Sequence, residues 1–111
     1  MRAADLKGNL DGMLLAVLTS EPGHGYAIIE ALRQRSHGRV NLPSGTIYPA
    51  LHRLEDGGLV RSRWEMVGGR RRRVYQITQA GEQALRATRA NWRDIIDTMH
   101  SVMLADEPVA T

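Results

Sequence analysis

The densest group of charged side chains in this 111-residue sequence is the run Arg70, Arg71, Arg72 and Arg73. Four adjacent guanidinium groups repel one another and contribute little to folding, so something anionic should lie beside them. Each guanidinium offers a planar fork of N–H donors that matches two phosphate oxygens. The run therefore predicts contacts with the phosphates of a nucleic acid, and a solvated charge run is the alternative.

A second set of polar side chains lies on one predicted helix, residues 44–59, “SGTIYPALHRLEDGGL”. Its apolar residues recur at i, i+3, i+4 and i+7, which is typical of one buried helix face: Ile47, Ala50, Leu51 and Leu54. The opposite face presents side chains suited to base edges and phosphates: Ser44, Thr46, Tyr48, Pro49, His52 and Arg53. The alternative is an ordinary solvated helix on which the tyrosine only packs.

The sequence contains no set of residues typical of a catalytic centre. The chain has no cysteine, and its four histidines are widely spaced: His24, His37, His52 and His100. No nucleophile stands at a recognisable spacing from a base, so we predict a protein that is not an enzyme and needs no cofactor. A metal-responsive regulator is an alternative, in which His100 meets Asp97 or Glu107 across two copies of the chain.

The charge is unevenly distributed. Residues 1–78 contain 12 Lys or Arg against 7 Asp or Glu, and residues 79–111 contain 3 against 5. Fourteen of the fifteen cations are Arg, which suits phosphate contacts, although a GC-rich genome gives the same excess. No segment resembles a signal peptide or approaches the roughly 18 apolar residues of a membrane helix. Together with the absence of cysteine, this predicts a soluble cytoplasmic protein with no membrane partner.

Hydrophobic periodicity predicts the helices that come before these side chains. Residues 9–20 predict a helix that is apolar nearly all round, so both its own domain and a second chain could cover it. The segment “EPGHG” then ends it. Residues 26–36 predict a second helix with Tyr26, Ile29 and Leu32 facing inward.

The third helix follows a polar connection, in which Asn41 or Ser44 could supply the cap. Pro49 lies inside this helix, so we expect a bent or tightened first turn without a break. Beyond Gly57-Gly58 the spacing of the apolar residues changes from a helical period of 3.6 residues to a strand period of 2. Residues 59–66 and 72–78 alternate on either side of a “VGGR” turn, which predicts a hairpin with a basic tip.

Residues 79–104 predict a long last helix that follows Thr78 as its N-cap and ends before Pro108. Leu85, Trp92 and Met99 are seven residues apart, and further residues widen this stripe: Thr88, Ile95, Ile96, Val102 and Met103. Nearly three heptads of this kind are typical of a helix-pairing seam. We expect this seam and the first helix to bury each other across a dimer.

Three helices followed by a two-stranded hairpin are the elements of one mainly α (α+β) fold, the winged helix-turn-helix, here with a long C-terminal dimerisation helix. Residues 1–78 would form the DNA-binding domain, and residues 79–111 the dimerisation helix and a short tail. In this fold the third helix enters the major groove of double-stranded DNA, and the hairpin lies along the flanking backbone. The predicted function is sequence-specific DNA binding as a homodimer. A protein-interaction module without a DNA partner is the alternative.

Several stretches resemble the PadR family of bacterial transcription regulators: “MLLAVL”, “HGYAII”, “GTIYPALHRLEDGGLV” and “GRRRRVYQITQAGEQAL”. In having a single long helix after the hairpin, the sequence resembles the smaller PadR subfamily. The resemblance implies a homodimeric winged-helix repressor that binds a pseudo-palindromic operator and is often released by a small molecule. Where the family often has Ser-Pro at the start of the recognition helix, this sequence has Pro43-Ser44.

In some short members of that family, an aromatic residue on the last helix lines an apolar cavity at the dimer interface, where planar ligands stack. Trp92 is similarly placed. With Ile95, Ile96 and Met99 it could form a pocket for a small planar aromatic ligand, because tryptophan and methionine are polarisable linings. The alternative is that these four side chains only fill the dimer seam.

Overall fold

The computed structural model describes residues 8–107 and confirms the predicted fold class, a winged helix-turn-helix with a long C-terminal helix. Its elements in chain order are α1 (Leu10–Ser20), β1 (Gly23–His24), α2 (Gly25–Arg35), α3 (Ser44–Asp56), β2 (Val60–Val67), β3 (Arg70–Ile77) and α4 (Gln79–Met99). A π-helical turn, His100–Leu104, continues α4. The strands form one antiparallel sheet in the order β1-β3-β2.

The hydrophobic core forms where α1, α2 and α3 meet. The apolar face predicted for α3 is fully buried, and α1 and α2 supply side chains such as Leu14, Ile28 and Leu32. Tyr75 of β3 and Leu85 of α4 join the same cluster. Complete burial of one such side chain contributes about 1.5–3 kcal/mol to folding, so this cluster holds the helices and the base of the hairpin together.

The predicted inward position of Tyr26 is wrong, because its side chain is 61% exposed. The buried face of α2 is instead formed by Gly25, Ile28 and Leu32. A Cβ atom at Gly25 would overlap the ring of Tyr48. The tyrosine of α3 therefore occupies the space over this glycine, and the buried stripe of α2 begins one residue earlier than its apolar pattern indicates.

The predicted side-chain cap of α3 is also wrong. Pro43 occupies the cap position, and no side chain caps the helix. Ser44 is already the first helical residue, and Asn41 lies two residues before the cap. The N–H groups of Thr46 and Ile47 both donate to the Pro43 carbonyl, at 3.0 and 3.2 Å, which tightens the first turn. The helix continues through Pro49 without a break, as predicted.

Thr78 caps α4 as predicted and also fixes its position. Its Oγ1 accepts a hydrogen bond from the Gly81 N–H at 3.1 Å and donates one to the Gly58 carbonyl at 2.7 Å. Gly58 has a φ of 77°, a left-handed conformation that glycine adopts without strain. The start of α4 is therefore tied to the turn between α3 and β2. Pro108, the predicted limit of the last helix, lies outside the described residues.

Gly81 is the position at which we expect the largest effect of a single added methyl group on stability. It is buried, and a Cβ there would overlap the Leu59 carbonyl oxygen and lie 2.7 Å from Cγ1 of Ile77. Gly81→Ala should lower the free energy of unfolding by about 1–3 kcal/mol, measured by urea denaturation. The matched control is Gly45→Ala in α3, where nothing lies within 4 Å of the added Cβ. Equal stability of the two variants would contradict this close approach.

Candidate nucleic-acid interface

The outward face of α3 is open to solvent over most of its length. Four of its predicted site residues are exposed, and two are half-buried. The exposed ones are Ser44, Pro49, His52 and Arg53; the half-buried ones are Thr46 and Tyr48. Since Tyr48 covers Gly25, its ring is held by packing against α2. The remaining polar side chains offer hydroxyl, imidazole and guanidinium groups to the solvent.

Arg53 lies close to the first helix. Its Nη2 is 3.4 Å from Oδ1 of Asp11, and both side chains are at least half exposed. An exposed ion pair of this kind contributes at most about 1 kcal/mol and often nothing measurable. Arg53 can therefore exchange this carboxylate for a phosphate or a base edge at little cost.

The hairpin of β2 and β3, called the wing below, has the predicted turn. Gly68 and Gly69 both adopt positive φ, at 59° and 78°, which is the conformation of the tightest hairpin turns. In the strand register Trp64 pairs with Arg73 and Met66 pairs with Arg71. Directly paired residues of an antiparallel ladder lie on the same face of a sheet, so these four side chains share one face.

The consecutive arginines point to two sides of the wing. The guanidinium carbons of Arg71 and Arg73 lie 4.7 and 5.5 Å from the centre of the Trp64 ring, and that of Arg72 lies 5.6 Å from the Tyr26 ring of α2. The negative faces of aromatic rings attract such cations. Repulsion within the run is thus reduced because the side chains alternate between the two faces and because three of them contact aromatic rings.

One arginine joins the wing to α3. The Nε–H of Arg73 donates to Oγ of Ser62 at 2.7 Å, and this hydroxyl donates to Oε2 of Glu55 at 2.5 Å. Nη2 of Arg73 also lies 3.8 Å from Oε1 of Glu55. Because Glu55 belongs to the last turn of α3, the wing and the candidate recognition helix are linked by side chains as well as by the chain.

Between α3 and the wing lies a groove of about 610 Å³. Its lining combines aromatic, cationic and acidic side chains: His24, Tyr48, His52, Glu55, Asp56, Trp64, Arg71, Arg72, Arg73 and Tyr75. Three arginines stand against two carboxylates, one of which already binds Arg73. The groove can therefore hold an anionic strand between a helix face and a cationic wall.

His24 stabilises the start of α2 beside this groove. Its Nδ1 accepts a hydrogen bond from the N–H of Ala27 at 3.3 Å. Burial, and next the positive charge of Arg72, lower the pKa of His24, which favours the neutral ring that can accept this bond. His24 also belongs to β1 and pairs with Val74 of β3. Across the groove, burial and the nearby Glu55 raise the pKa of Tyr75.

Sequence reasoning missed strand β1 and the roles of His24, Trp64 and Tyr26 in this region. A two-residue strand leaves no periodic signal, and the partners of these rings come from distant parts of the chain. The alternation of β2 and β3 about a tight turn is the signal that could have placed Trp64 on the same face as two of the arginines.

The predicted ligand residues all lie on α4, and one of them, Trp92, lines a groove. A second groove, of about 690 Å³, runs between α1, the end of α2 and α4. It is lined by Asn9, Gly12, Met13, Ala16, Arg35, Ser36, His37, Arg39, Val40, Leu85, Thr88, Arg89 and Trp92. Ile95, Ile96 and Met99 lie farther along α4 and outside this lining.

The apolar stripe of α4 divides at the same place. Leu85 is buried in the core of its own chain, so it is not available to a partner as the heptad spacing predicted. A Cβ at Gly12 of α1 would lie 3.1 Å from Cγ2 of Thr88, so Thr88 is also close to its own domain. From Trp92 onward the stripe is exposed except at the half-buried Ile95. Its exposed members are Trp92, Ile96, Met99, Val102 and Met103.

Two absences apply to residues 8–107. They contain no group of three or more His, Asp or Glu side chains placed to hold a metal ion. A separate finding is that none of the helices in this part of the chain is both long and apolar enough to span a membrane.

Three core helices, a basic two-stranded wing and an open third-helix face define the class of winged-helix transcriptional regulators. Residues 14–87 match the Transcriptional regulator PadR-like family, and the chain belongs to this family. Members of the family are transcriptional regulators and not enzymes.

Similar proteins fall in the same class. The chain is 44% identical over 62 residues to Transcriptional regulator Rv3488 of Mycobacterium tuberculosis, a match that covers 56% of this chain and 55% of that protein. This chain thus spans about half the length of that relative. A solved PadR-like transcriptional regulator from Bacillus cereus has a TM-score of 0.81 at 27% identity, covering 92% of this chain and 98% of the other. A solved PadR family transcription regulator from Clostridium difficile has a TM-score of 0.74 at 30% identity, covering 85% of this chain and 97% of the other.

Proposed function

We propose that this protein is a transcriptional repressor that binds a pseudo-palindromic operator in double-stranded DNA as a homodimer. The observation that supports this most is the open face of α3 beside a groove walled by three wing arginines. A helix fits the major groove, which is about 12 Å wide. In this proposal residues 1–78 bind DNA, and residues 79–111 form the dimerisation helix and tail.

The residues divide into two roles in the proposed complex. Thr46, His52 and Arg53 meet base edges, because they lie on the exposed or half-exposed face of α3. Backbone phosphates are bound by the polar members that remain: Ser44, Tyr48, Arg70, Arg71, Arg72 and Arg73. Pro49 has no N–H donor, so its exposed ring packs beside the backbone without a hydrogen bond. Base contacts specify a sequence, whereas phosphate contacts position the protein on any duplex.

The proposed dimer pairs the distal half of α4 with a second copy. Met99 is 54% exposed, and an apolar stripe of this kind on a helix normally packs against another surface. Three arginines are among the residues that line the groove between α1 and α4: Arg35, Arg39 and Arg89. The distal half of α4 contains Asp94 and Asp97 against Arg93, so its net charge is opposite to that of the groove.

We further propose that a small planar aromatic ligand stacks on Trp92 and releases the repressor from DNA. Trp92 is 40% exposed and lines the largely apolar groove beside α1. Ile95, Ile96 and Met99 would complete the pocket from the second copy of α4. A ligand shifts an equilibrium only through differential contacts with its two states, and a site at the dimer seam would supply them.

Selection of bound fragments from random duplex DNA tests the proposed function. We expect the purified protein to enrich an inverted repeat whose half-sites are separated by about one helical turn, roughly 34 Å, since two recognition helices must reach successive major grooves. Enrichment of a single half-site would argue against the dimer. No enrichment over input DNA would contradict sequence-specific binding altogether.

Substitutions on α3 should reduce specificity. Thr46→Ala and Arg53→Ala should each lower the preference for the selected sequence over random DNA, with about 1–3 kcal/mol lost wherever the side chain pairs with a base. The measurement is fluorescence polarisation with both duplexes at one salt concentration. Tyr48→Phe, which keeps the ring over Gly25, tests the hydroxyl alone. Equal losses on both duplexes would assign that residue to backbone positioning.

A further inference from the structure

Trp64 is a large aromatic residue with half of its surface in solvent. It is 52% exposed, so its burial stabilises the fold only partly. Its contacts are instead with two cations: the guanidinium of Arg71 at 4.7 Å and that of Arg73 at 5.5 Å from the ring centre. This position on the wing indicates a role other than core packing.

The two arginines at this ring have different surroundings. Arg73 is held from the α3 side by Ser62 and Glu55. Arg71 is exposed, and within residues 8–107 it forms no ion pair with a carboxylate. Its guanidinium lies over the Trp64 ring. A continuous set of contacts thus runs from α3 through Glu55, Ser62, Arg73 and Trp64 to Arg71.

We propose that Trp64 is a positioning residue that holds Arg71 and Arg73 side by side as a paired clamp for DNA phosphate. This inference rests on the proposed function. A free arginine side chain loses rotamer freedom when it binds a phosphate. Stacking on Trp64 imposes much of that order before DNA arrives, and preorganisation of this kind raises affinity. The clamp faces the groove between α3 and the wing, where Trp64, Arg71 and Arg73 all contribute to the lining.

A matched pair of substitutions at Trp64 separates the effect of its aromatic ring from the effect of its apolar volume. Trp64→Phe keeps an aromatic face, whereas Trp64→Leu keeps an apolar side chain without one. Binding to a fluorescently labelled mixed-sequence duplex, followed by polarisation over a range of NaCl concentrations, should be roughly three- to tenfold weaker for Trp64→Leu and closer to wild type for Trp64→Phe. The slope of log K against log salt should stay unchanged in both, because the number of cations is the same.

Met66→Leu is the control on the same strand and the same face. Met66 is 70% exposed and pairs with Arg71 in the strand register, but it has no aromatic ring. Its substitution should leave duplex affinity at the wild-type value. Thermal unfolding of each variant checks that the fold is retained, and the exposure of both side chains makes a large change unexpected.

A measurement without DNA tests the stacking itself. In the NMR spectrum of the free protein, the side-chain protons of Arg71 and Arg73 should show upfield ring-current shifts that disappear in Trp64→Leu and persist in Trp64→Phe. Equal duplex affinities of the two variants, or shifts that do not respond to the substitution, would overturn the proposal. A wild-type protein that binds no duplex would instead overturn the proposed function, and the two failures are therefore distinguishable.

Discussion

Replacing Arg71 and Arg72 together by alanine is expected to weaken binding to every duplex, operator or random, by a similar large factor. Each lost phosphate contact removes about 0.9 from the slope of log K against log salt. The slope should therefore flatten by about two units for each protomer bound, and affinity near 0.1 M salt should fall by about tenfold for each lost contact. These two arginines are chosen because neither has an ion pair within residues 8–107 that would already offset its charge.

The control for this double variant has the same change in net charge at a distant place. Arg86 and Arg93 are exposed on α4, and replacing both by alanine should leave the slope nearly unchanged. Affinity measured at four or five salt concentrations gives both slopes. An unchanged slope in the Arg71 and Arg72 variant would remove the wing from the interface.

Placing a charge on the exposed stripe of α4 should separate the proposed dimer. In Met99→Asp the new carboxylate would be buried without a partner at the seam, which costs several kcal/mol and raises the dimer dissociation constant more than about a hundredfold. Because Met99 is solvent-exposed within its own chain, the monomer should remain folded. Sedimentation velocity should show monomers at micromolar concentration, and binding to the selected inverted repeat should fall with the dimer.

Ala90→Asp is the matched control for Met99→Asp, since Ala90 is exposed on the opposite side of α4.

Trp92→Ala distinguishes the two possible roles of the tryptophan, seam filling and ligand binding. If it only fills the seam, the dimer weakens and DNA affinity falls with it. If it lines a pocket, both persist while binding of planar aromatic compounds, followed by quenching of Trp92 fluorescence in a Trp64→Phe background, is lost. A wild-type protein that is monomeric at micromolar concentration would contradict the seam itself.

The fold could be predicted from local patterns, because each helix and the hairpin has a strong period of its own. Apart from the cap of α3, which is a local error, the errors occurred where a residue depends on a distant partner. Tyr26 follows the apolar pattern of α2, but a ring from α3 fills the place beside Gly25, and Tyr26 instead contacts Arg72. Leu85 follows the heptad of α4, but its side chain is buried in the core of its own domain.

The candidate site was predictable to the level of residue types and less so in its geometry. The run of arginines and the polar face of α3 are visible in the sequence. Their division into two directions depends on Trp64 and Tyr26, and the link from Arg73 to Glu55 depends on the packing of the wing against α3. The contacts of the arginines with these two rings and with Glu55 have no sequence spacing that predicts them.

The close packing at the start of α4 has a mechanical consequence. Gly81 lies directly against the Leu59 backbone, and Thr78 bonds to the adjacent Gly58 in the same turn, so the base of this helix is fixed to the turn before β2. A helix of 21 residues is about 30 Å long. The helix and the domain at its base therefore move as one rigid body, and a tilt of about 10° displaces the far end of the helix by about 5 Å. In the proposed dimer, a change in the angle between the two copies of α4 would therefore move each recognition helix together with its wing.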